Sequence, residues 1–378
     1  MSTPLIFITG APRSGTTLVD KILWSLPAVD CFSQPLPLLL TRIKSAFLKR
    51  CDAPQSALAH PLNDQQFENA YPQNAFVDFL KQENLSARTI ENAMDAMADY
   101  SGQYFKPDNP KSALADWTGS DLASFARHYF DHFAQKPHAQ RQAMAWKETG
   151  AEEFLPYFLG QNMKTILILR DPRDIAASLY YGHASAHAGQ PRPLLFMARQ
   201  WRKSAAFFAY FSENPNVLCV RYEDLVADPN THLKHWQDWL GLQNTKGDLT
   251  LQSQSGKSWA GNSSFDHFDG ISTQGVGRHK TVLTDDERSF IEALCYGEMC
   301  MTGYTPKLSA EAVLDRLQSG PAKDYLEREG LAHYAYDETR KGEESARWQT
   351  AMNKTASFDP AMFLFADHQR AVQKVLNP

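Results

Sequence analysis

The stretch that most constrains this chain is Leu5-Ile6-Phe7-Ile8 followed at once by Thr9-Gly10-Ala11-Pro12-Arg13-Ser14-Gly15-Thr16-Thr17. The apolar run reads as a buried strand, and the small residues after it as a tight loop that opens a helix near Thr16. A strand, a glycine loop and a helix N-terminus aim successive backbone N–H groups at one point, the layout of an anion cradle. Gly10 and Gly15 keep P-loop spacing, but Thr16 stands where that motif carries its lysine. Arg13, inside the loop, is the nearby cation. The loop is therefore built for a nucleotide anion and not for ordinary nucleoside triphosphate–magnesium chemistry.

Four further stretches read as strands: 28–34 (AVDCFSQ), 143–146, 164–169 (KTILIL) and 216–221 (NVLCVR). Helical patterns lie between and after them. They cover 16–26, 35–49, two helices within 73–104 split near 84–86, 120–134, a helix ending near 159, one from Pro172 to about 181, 194–211, 230–240 and 284–301. Asp171 is the expected N-cap of the helix at Pro172, and Thr284 with Glu287 the capping start of the last. Residues 52–72 read as loop, 222–225 as the loop after the last strand, and 243–275 as a long surface loop or lid. The tail shows weaker helical patterns at 309–318, 322–330 and 360–376. Strands alternating with helices predict an α/β fold: a mostly parallel central sheet, helices on both faces, P-loop-NTPase-like. Residues 1–306 form the expected α/β domain, with inserted helices at about 36–135, and 307–378 a C-terminal helical extension.

A net charge of −5 argues against broad nucleic-acid binding, so a basic anion pocket has to be local. The five cysteines form no CxxC pair and have no histidines at zinc spacing, which suits free thiols in a reducing compartment. No signal peptide is read before the first strand, and no run of 18 apolar residues suggests an integral membrane segment. A cytoplasmic protein is the expectation.

Ligands of open α/β sheets bind at the carboxyl ends of strands. Arg13, Lys147 and Arg170 each follow a predicted strand, so three cations gather at one sheet edge and suit a polyanion. Arg173 is read as an ion-pair partner of Asp171 and Asp174.

These residues resemble a known family, the sulfotransferases that use 3′-phosphoadenosine 5′-phosphosulfate (PAPS). Pro12-Arg13-Ser14-Gly15-Thr16-Thr17 looks like their 5′-phosphosulfate loop, and Arg170 with Ser178 resembles their 3′-phosphate motif. Arg221-Tyr222-Glu223-Asp224-Leu225 matches the segment whose tyrosine lies near the adenine. Gly275-Val276-Gly277-Arg278-His279-Lys280 resembles the late segment that closes over the 3′-phosphate, and Gly303-Tyr304 is familiar from bacterial members. The resemblance spans about residues 3–306 and is nearer to the bacterial and tyrosylprotein-type branch than to cytosolic phenol and steroid enzymes. It implies that amides of residues 13–17, with the hydroxyls of Thr16 and Thr17, hold the 5′-phosphosulfate. It gives Arg13 the bridging and sulfuryl oxygens, and Arg170, Ser178 and Arg278 or Lys280 the 3′-phosphate. Lys147 would reach the leaving phosphate or the sulfuryl oxygens. It also implies in-line transfer to a hydroxyl or amine with no metal.

The general base departs from the pattern. Tyrosylprotein-type relatives carry a glutamate about twenty residues after the loop arginine; here the position is Gln34, which cannot accept a proton at neutral pH. Glu148, beside Lys147, is the leading replacement, and His60, His183 and His187 are further candidates. The other reading is that the base is lost. Competing functions are a divergent P-loop kinase and a non-catalytic adenosine-bisphosphate-binding protein. Small-molecule, carbohydrate, lipid and peptide acceptors stay open, and the tail is assigned to covering the acceptor cleft or to mediating a homodimer.

Overall fold

The computed structural model describes residues 3–63, 73–98, 100, 104–183, 189–243, 249, 251, 259, 261, 263–265, 270–326 and 330–377. Its first half runs β1 (Leu5–Thr9), α1 (Thr16–Ser25), β2 (Val29–Ser33), α2 (Pro37–Arg50), α3 (Gln55–Ala59), α4 (Gln73–Gln82), α5 (Ala87–Met97), α6 (Leu122–His132), β3 (Ala143–Lys147) and α7 (Leu155–Gly160). Its second half runs β4 (Lys164–Leu169), α8 (Pro172–Tyr181), α9 (Leu194–Phe211), β5 (Val217–Arg221), α10 (Tyr222–Ala227) and α11 (Pro229–Leu240). It closes with α12 (His279–Val282), α13 (Asp285–Met301), α14 (Ala310–Ser319), α15 (Glu338–Met352) and α16 (Ala366–Leu376).

The five strands form one parallel sheet in the order β2-β3-β1-β4-β5. Every residue of β1, β2 and β3 is buried, as parallel strands covered on both faces require. Strand alternation sorts the side chains. Ile6, Ile8, Cys31, Ala143 and Ala145 pack on the face that holds α1 and α11. Phe7, Phe32, Met144 and Trp146 pack on the face of the inserted helices. After β1 the chain runs toward β2; after β4 it runs toward β5. The crevice between the carboxyl ends of β1 and β4 is therefore the switch point at which such sheets bind ligands.

The tail differs from its sequence reading. Helices form at 310–319 and 366–376, but none forms over the described part of 322–330, and α15 was not expected. Val313, Leu317, Tyr334 and Trp348 share a hydrophobic cluster with α8, α9 and α13. Buried ion pairs fasten α15: Arg199 and Arg202 of α9 hold Glu344 at 3.0 and 2.6 Å, and Arg347 meets Glu298 of α13. Residues 222–227 are helix rather than loop, and 55–59 form a short helix inside the expected loop. Most of the proposed 243–275 lid lies outside the described residues.

Candidate active site

Gly15 caps α1 with φ 101, and a Cβ there would sit 2.6 Å from the Tyr222 ring, so only glycine lets that tyrosine lie against the loop. A Cβ on Gly10 would meet the Ile168 carbonyl at 2.2 Å, which seats the loop directly on β4. Gly15 has no side chain to cap the helix, so its opening N–H groups point out toward the crevice. Arg13 and Gln34 are held in the left-handed region at φ 68 and 44, a backbone cost that concentrates at functional sites.

Arg13, Gly15, Thr16, Thr17, Gln34, Arg170, Ser178, Tyr222 and Arg278 line one cavity of about 280 Å³. The Arg13 Nε donates to Ser178 Oγ at 2.9 Å, and Arg170 Nη1 donates to the Arg13 carbonyl at 3.1 Å. Arg170 Nη2 reaches the Gly275 carbonyl at 2.6 Å, and its guanidinium lies 4.4 Å from the centre of the Tyr222 ring. The loops after β1, β4 and β5 and the Gly275 turn thus meet at one arginine. Burial first, and Arg170 second, bring the Arg13 guanidinium down to about 10. Lys147, 1% exposed, does not itself line the cavity but touches two residues that do, its Nζ 2.8 Å from Gln34 Oε1 and 3.5 Å from Thr17 Oγ1. Burial brings its ammonium down to about 8, with Asp20 and Glu148 opposing the shift.

Three assignments need correction. Glu148 does not face the cavity. Alternation turns Trp146 and Glu148 to the face opposite Lys147, where Glu148 Oε1 accepts from Leu36 N–H at 2.8 Å and from Trp146 Nε1 at 3.0 Å. Lys280 is exposed and does not line the cavity; it folds back beside Gly277. Ser14 lies beneath the loop, fully buried, with its N–H donating to the Ala11 carbonyl at 3.1 Å. Of the histidine candidates, His60 packs on Phe196 and His183 is exposed, and neither lines the cavity; His187 is outside the described residues.

Sequence reasoning missed Arg192, Thr149 and Ser264, all of which line the cavity. Ser264 Oγ lies 2.5 Å from Arg13 Nη2 and from Ser178 Oγ. It missed the work of Asp174 as well, whose carboxylate accepts from Gly277 N–H at 2.7 Å and from His279 N–H at 2.9 Å, pinning the late glycine turn to α8. The Arg173 reading holds for Asp171, at 2.7 Å, with Glu292 as a second partner at 2.6 Å. Glu223 braces the rim by accepting from Asp171 N–H and from the Tyr304 hydroxyl, both at 2.9 Å.

Among the described lining residues there are four arginines (Arg13, Arg170, Arg192 and Arg278) and no carboxylate or histidine. Arg170 Nε is buried with no hydrogen-bond partner among them, as is Ser14 Oγ within the loop. Arginines gathered on one wall repel one another, and an anion at the helix N-terminus offsets that cost. The rim fits a ligand with several negative charges.

Burial pushes the Glu148 carboxyl up to about 7, despite its two donors. Between its ordinary value of 4.5 and about 7 the folded chain keeps a proton that the unfolded chain releases, so this group's contribution to stability falls as pH rises through that window. Glu148→Gln keeps an oxygen for both donors. It is expected to match the wild type in urea unfolding at pH 5, to exceed it by about 2–3 kcal/mol at pH 8, and to leave turnover intact. Loss of turnover in a folded Glu148→Gln variant would restore Glu148 as the base.

A family model described as sulfotransferase domain matches residues 3–303. Carbohydrate sulfotransferase 2 of Mus musculus and that of Homo sapiens are each 34% identical to the chain over 102 residues. That match takes in 26% of this chain and 19% of each relative, so the chain spans about a fifth of their length. Among solved structures, the sulfotransferase domain from the curacin biosynthetic pathway is similar at 16% identity and TM-score 0.47, covering 81% of this chain and 99% of that one. Retinol dehydratase in a complex with retinol and PAP is similar at 14% identity and TM-score 0.29, covering 95% of this chain and 84% of that one.

Proposed function

The chain belongs to the sulfotransferase-domain family, and on that premise we propose that it moves the sulfuryl group of PAPS to a hydroxyl of a carbohydrate acceptor. The observation that carries this reading is the four-arginine cavity without a described carboxylate, at the carboxyl ends of β1 and β4, where the chain leaves in opposite directions.

In this reading the opening amides of α1, with Thr16 and Thr17, hold the 5′-phosphosulfate. Arg170, Ser178 and Arg278 hold the 3′-phosphate, and Tyr222 bounds the adenine. Lys147 stands beside Thr17 and Gln34, so its ammonium meets the bond that breaks between sulfur and the phosphate oxygen as the acceptor oxygen bonds to sulfur. The acceptor proton leaves late, to water or to an oxygen of the departing 5′-phosphate, because a loose transition state does not need a strongly activated nucleophile. Gln34 and Thr149 are placed to orient the acceptor hydroxyl by hydrogen bonds, with the glutamine in a role that no longer includes taking a proton.

The carbohydrate assignment is supported by the two 34% identical relatives and by the mouth of the cavity. Tyr104, 52% exposed, and Tyr100, 40% exposed, offer ring faces beside the neutral groups Gln34 and Thr149. Flat apolar faces next to amide and hydroxyl groups suit a sugar, which is apolar on its ring faces and polar at its edge. The test is incubation with labelled PAPS and a panel of oligosaccharides, phenols and tyrosyl peptides. Label is expected in an oligosaccharide, with release of 3′,5′-adenosine bisphosphate. Transfer confined to peptides or phenols would remove the carbohydrate assignment, and bisphosphate binding without transfer to any acceptor would favour the non-catalytic reading.

A further inference from the structure

Asp20 is a buried carboxylate that neither the fold nor the nucleotide site accounts for. It is 1% exposed, and neither oxygen has a hydrogen-bond partner among the described residues. Its ion-pair contact is with its own neighbour, Lys21, at 3.4 Å. A carboxylate held dry without donors is costly, and such groups persist where a nearby charge uses them.

The fold puts Lys147 on the same side of the sheet. Asp20 lies one turn beyond Thr17 on α1, so the two share a helix face. Thr17 Oγ1 is 3.5 Å from Lys147 Nζ. α1 packs on the sheet face formed by Val29 and Cys31 of β2 and by Ala143 and Ala145 of β3. Lys147 continues that same face, because Cys31 pairs with Ala145 and Ser33 with Lys147 along the β2–β3 register. Asp20 is thus enclosed beneath α1 on the side of the sheet from which the lysine rises.

We propose that Asp20 is the counter-charge that holds Lys147 as an ammonium while no nucleotide is bound. It is a positioning residue: it is sealed from the cavity and acts through Lys147. The proposal rests on the role given to Lys147 above. The groups facing the lysine are Asp20 and Lys21 from α1, Arg13 from the loop, Glu148 next along the chain, Gln34 after β2, and the Tyr104 ring at 5.3 Å. Of these, Asp20 and Glu148 favour the ammonium, and Glu148 lies on the opposite face. Asp20 itself is faced by Lys21, by Cys31 of β2 and by Lys147. A bare lysine buried among Lys21 and Arg13 would shed its proton; Asp20 opposes that until the nucleotide's own charge arrives.

Two measurements test this. In transfer assays on Asp20→Asn, the alkaline fall of kcat/KM is expected to move to lower pH by about one unit, with bisphosphate affinity at pH 6.5 unchanged. In Asp20→Asn/Lys147→Arg the guanidinium stays charged, and no alkaline fall attributable to this site should remain. The second measurement needs no turnover: urea unfolding of wild type, Asp20→Asn, Lys147→Met and the double variant at pH 6.5. The structure predicts that the double variant is more stable than the sum of the single losses, because either single change already removes the attraction between the two charges. Strict additivity, or an alkaline limb that Asp20→Asn leaves in place, overturns the proposal. If no transfer is found at all, the functional reading fails, and the unfolding cycle still decides whether Asp20 and Lys147 are coupled.

Discussion

Lys147→Ala is expected to slow sulfuryl transfer by about 10²–10³ while changing 3′,5′-adenosine bisphosphate affinity less than about tenfold. The split follows from where the ammonium sits. Nζ lies between Gln34 Oε1 and Thr17 Oγ1, where the proposed role puts the sulfuryl group. The bisphosphate has no sulfuryl group, so it uses little of that contact. In the transition state, charge gathers on the oxygen that leaves with the phosphate, and a fixed cation is then worth most. The pH dependence has a definite sign. In the proposed role the protonated lysine is the working form, and burial brings its ammonium down to about 8. Wild-type kcat/KM should therefore fall as pH rises past about 8, and Lys147→Arg should lack that fall. Steady-state kinetics between pH 6 and 9 read both effects. A bisphosphate affinity that drops in step with the rate would place Lys147 in ground-state binding instead.

Arg170→Ala is expected to weaken 3′,5′-adenosine bisphosphate by about 100-fold or more, the larger loss in affinity at this site. Its guanidinium is 9% exposed and does three things at once. It clasps the Arg13 and Gly275 carbonyls, it stacks on Tyr222, and it keeps Nε free among the described residues for a ligand. Arg170→Lys retains a point charge but cannot hold two carbonyls and a phosphate with one planar fork, so it should recover only part of the affinity. 5′-AMP, which lacks the 3′-phosphate, separates the two roles. If Arg170 binds the 3′-phosphate, the variant loses little affinity for AMP; an equal loss for both nucleotides means that the substitution has merely loosened the loops.

The sequence announced the five strands because each is a short apolar run ending in a basic or small polar segment, and parallel strands buried on both faces need such runs. Arg13 and Arg170 are legible because each follows a strand end, Ser178 is legible only through the family resemblance, and the structure joins the three through two hydrogen bonds. Glu148 was misjudged because adjacency in sequence was taken for adjacency in space. On an extended backbone the neighbour of Lys147 points the other way, and the alternation Met144, Ala145, Trp146, Lys147 already carried that information. α15 was invisible for a different reason: Glu338–Met352 is largely polar, and buried ion pairs with Arg199 and Arg202 bind it where an apolar stripe would otherwise be needed. Ser264 and Arg192 lie in segments without periodicity, and only the folded chain brings them to the cavity.

In the proposed function this cavity takes an adenosine carrying phosphate at both its 3′ and 5′ positions. Calorimetric titration of the wild-type chain with 3′,5′-adenosine bisphosphate and with 5′-AMP, in EDTA, tests it most directly. One site is expected, holding the bisphosphate about 100-fold or more tighter than AMP without added metal. Equal affinity for the two nucleotides, or binding seen only with ATP and magnesium, would contradict it.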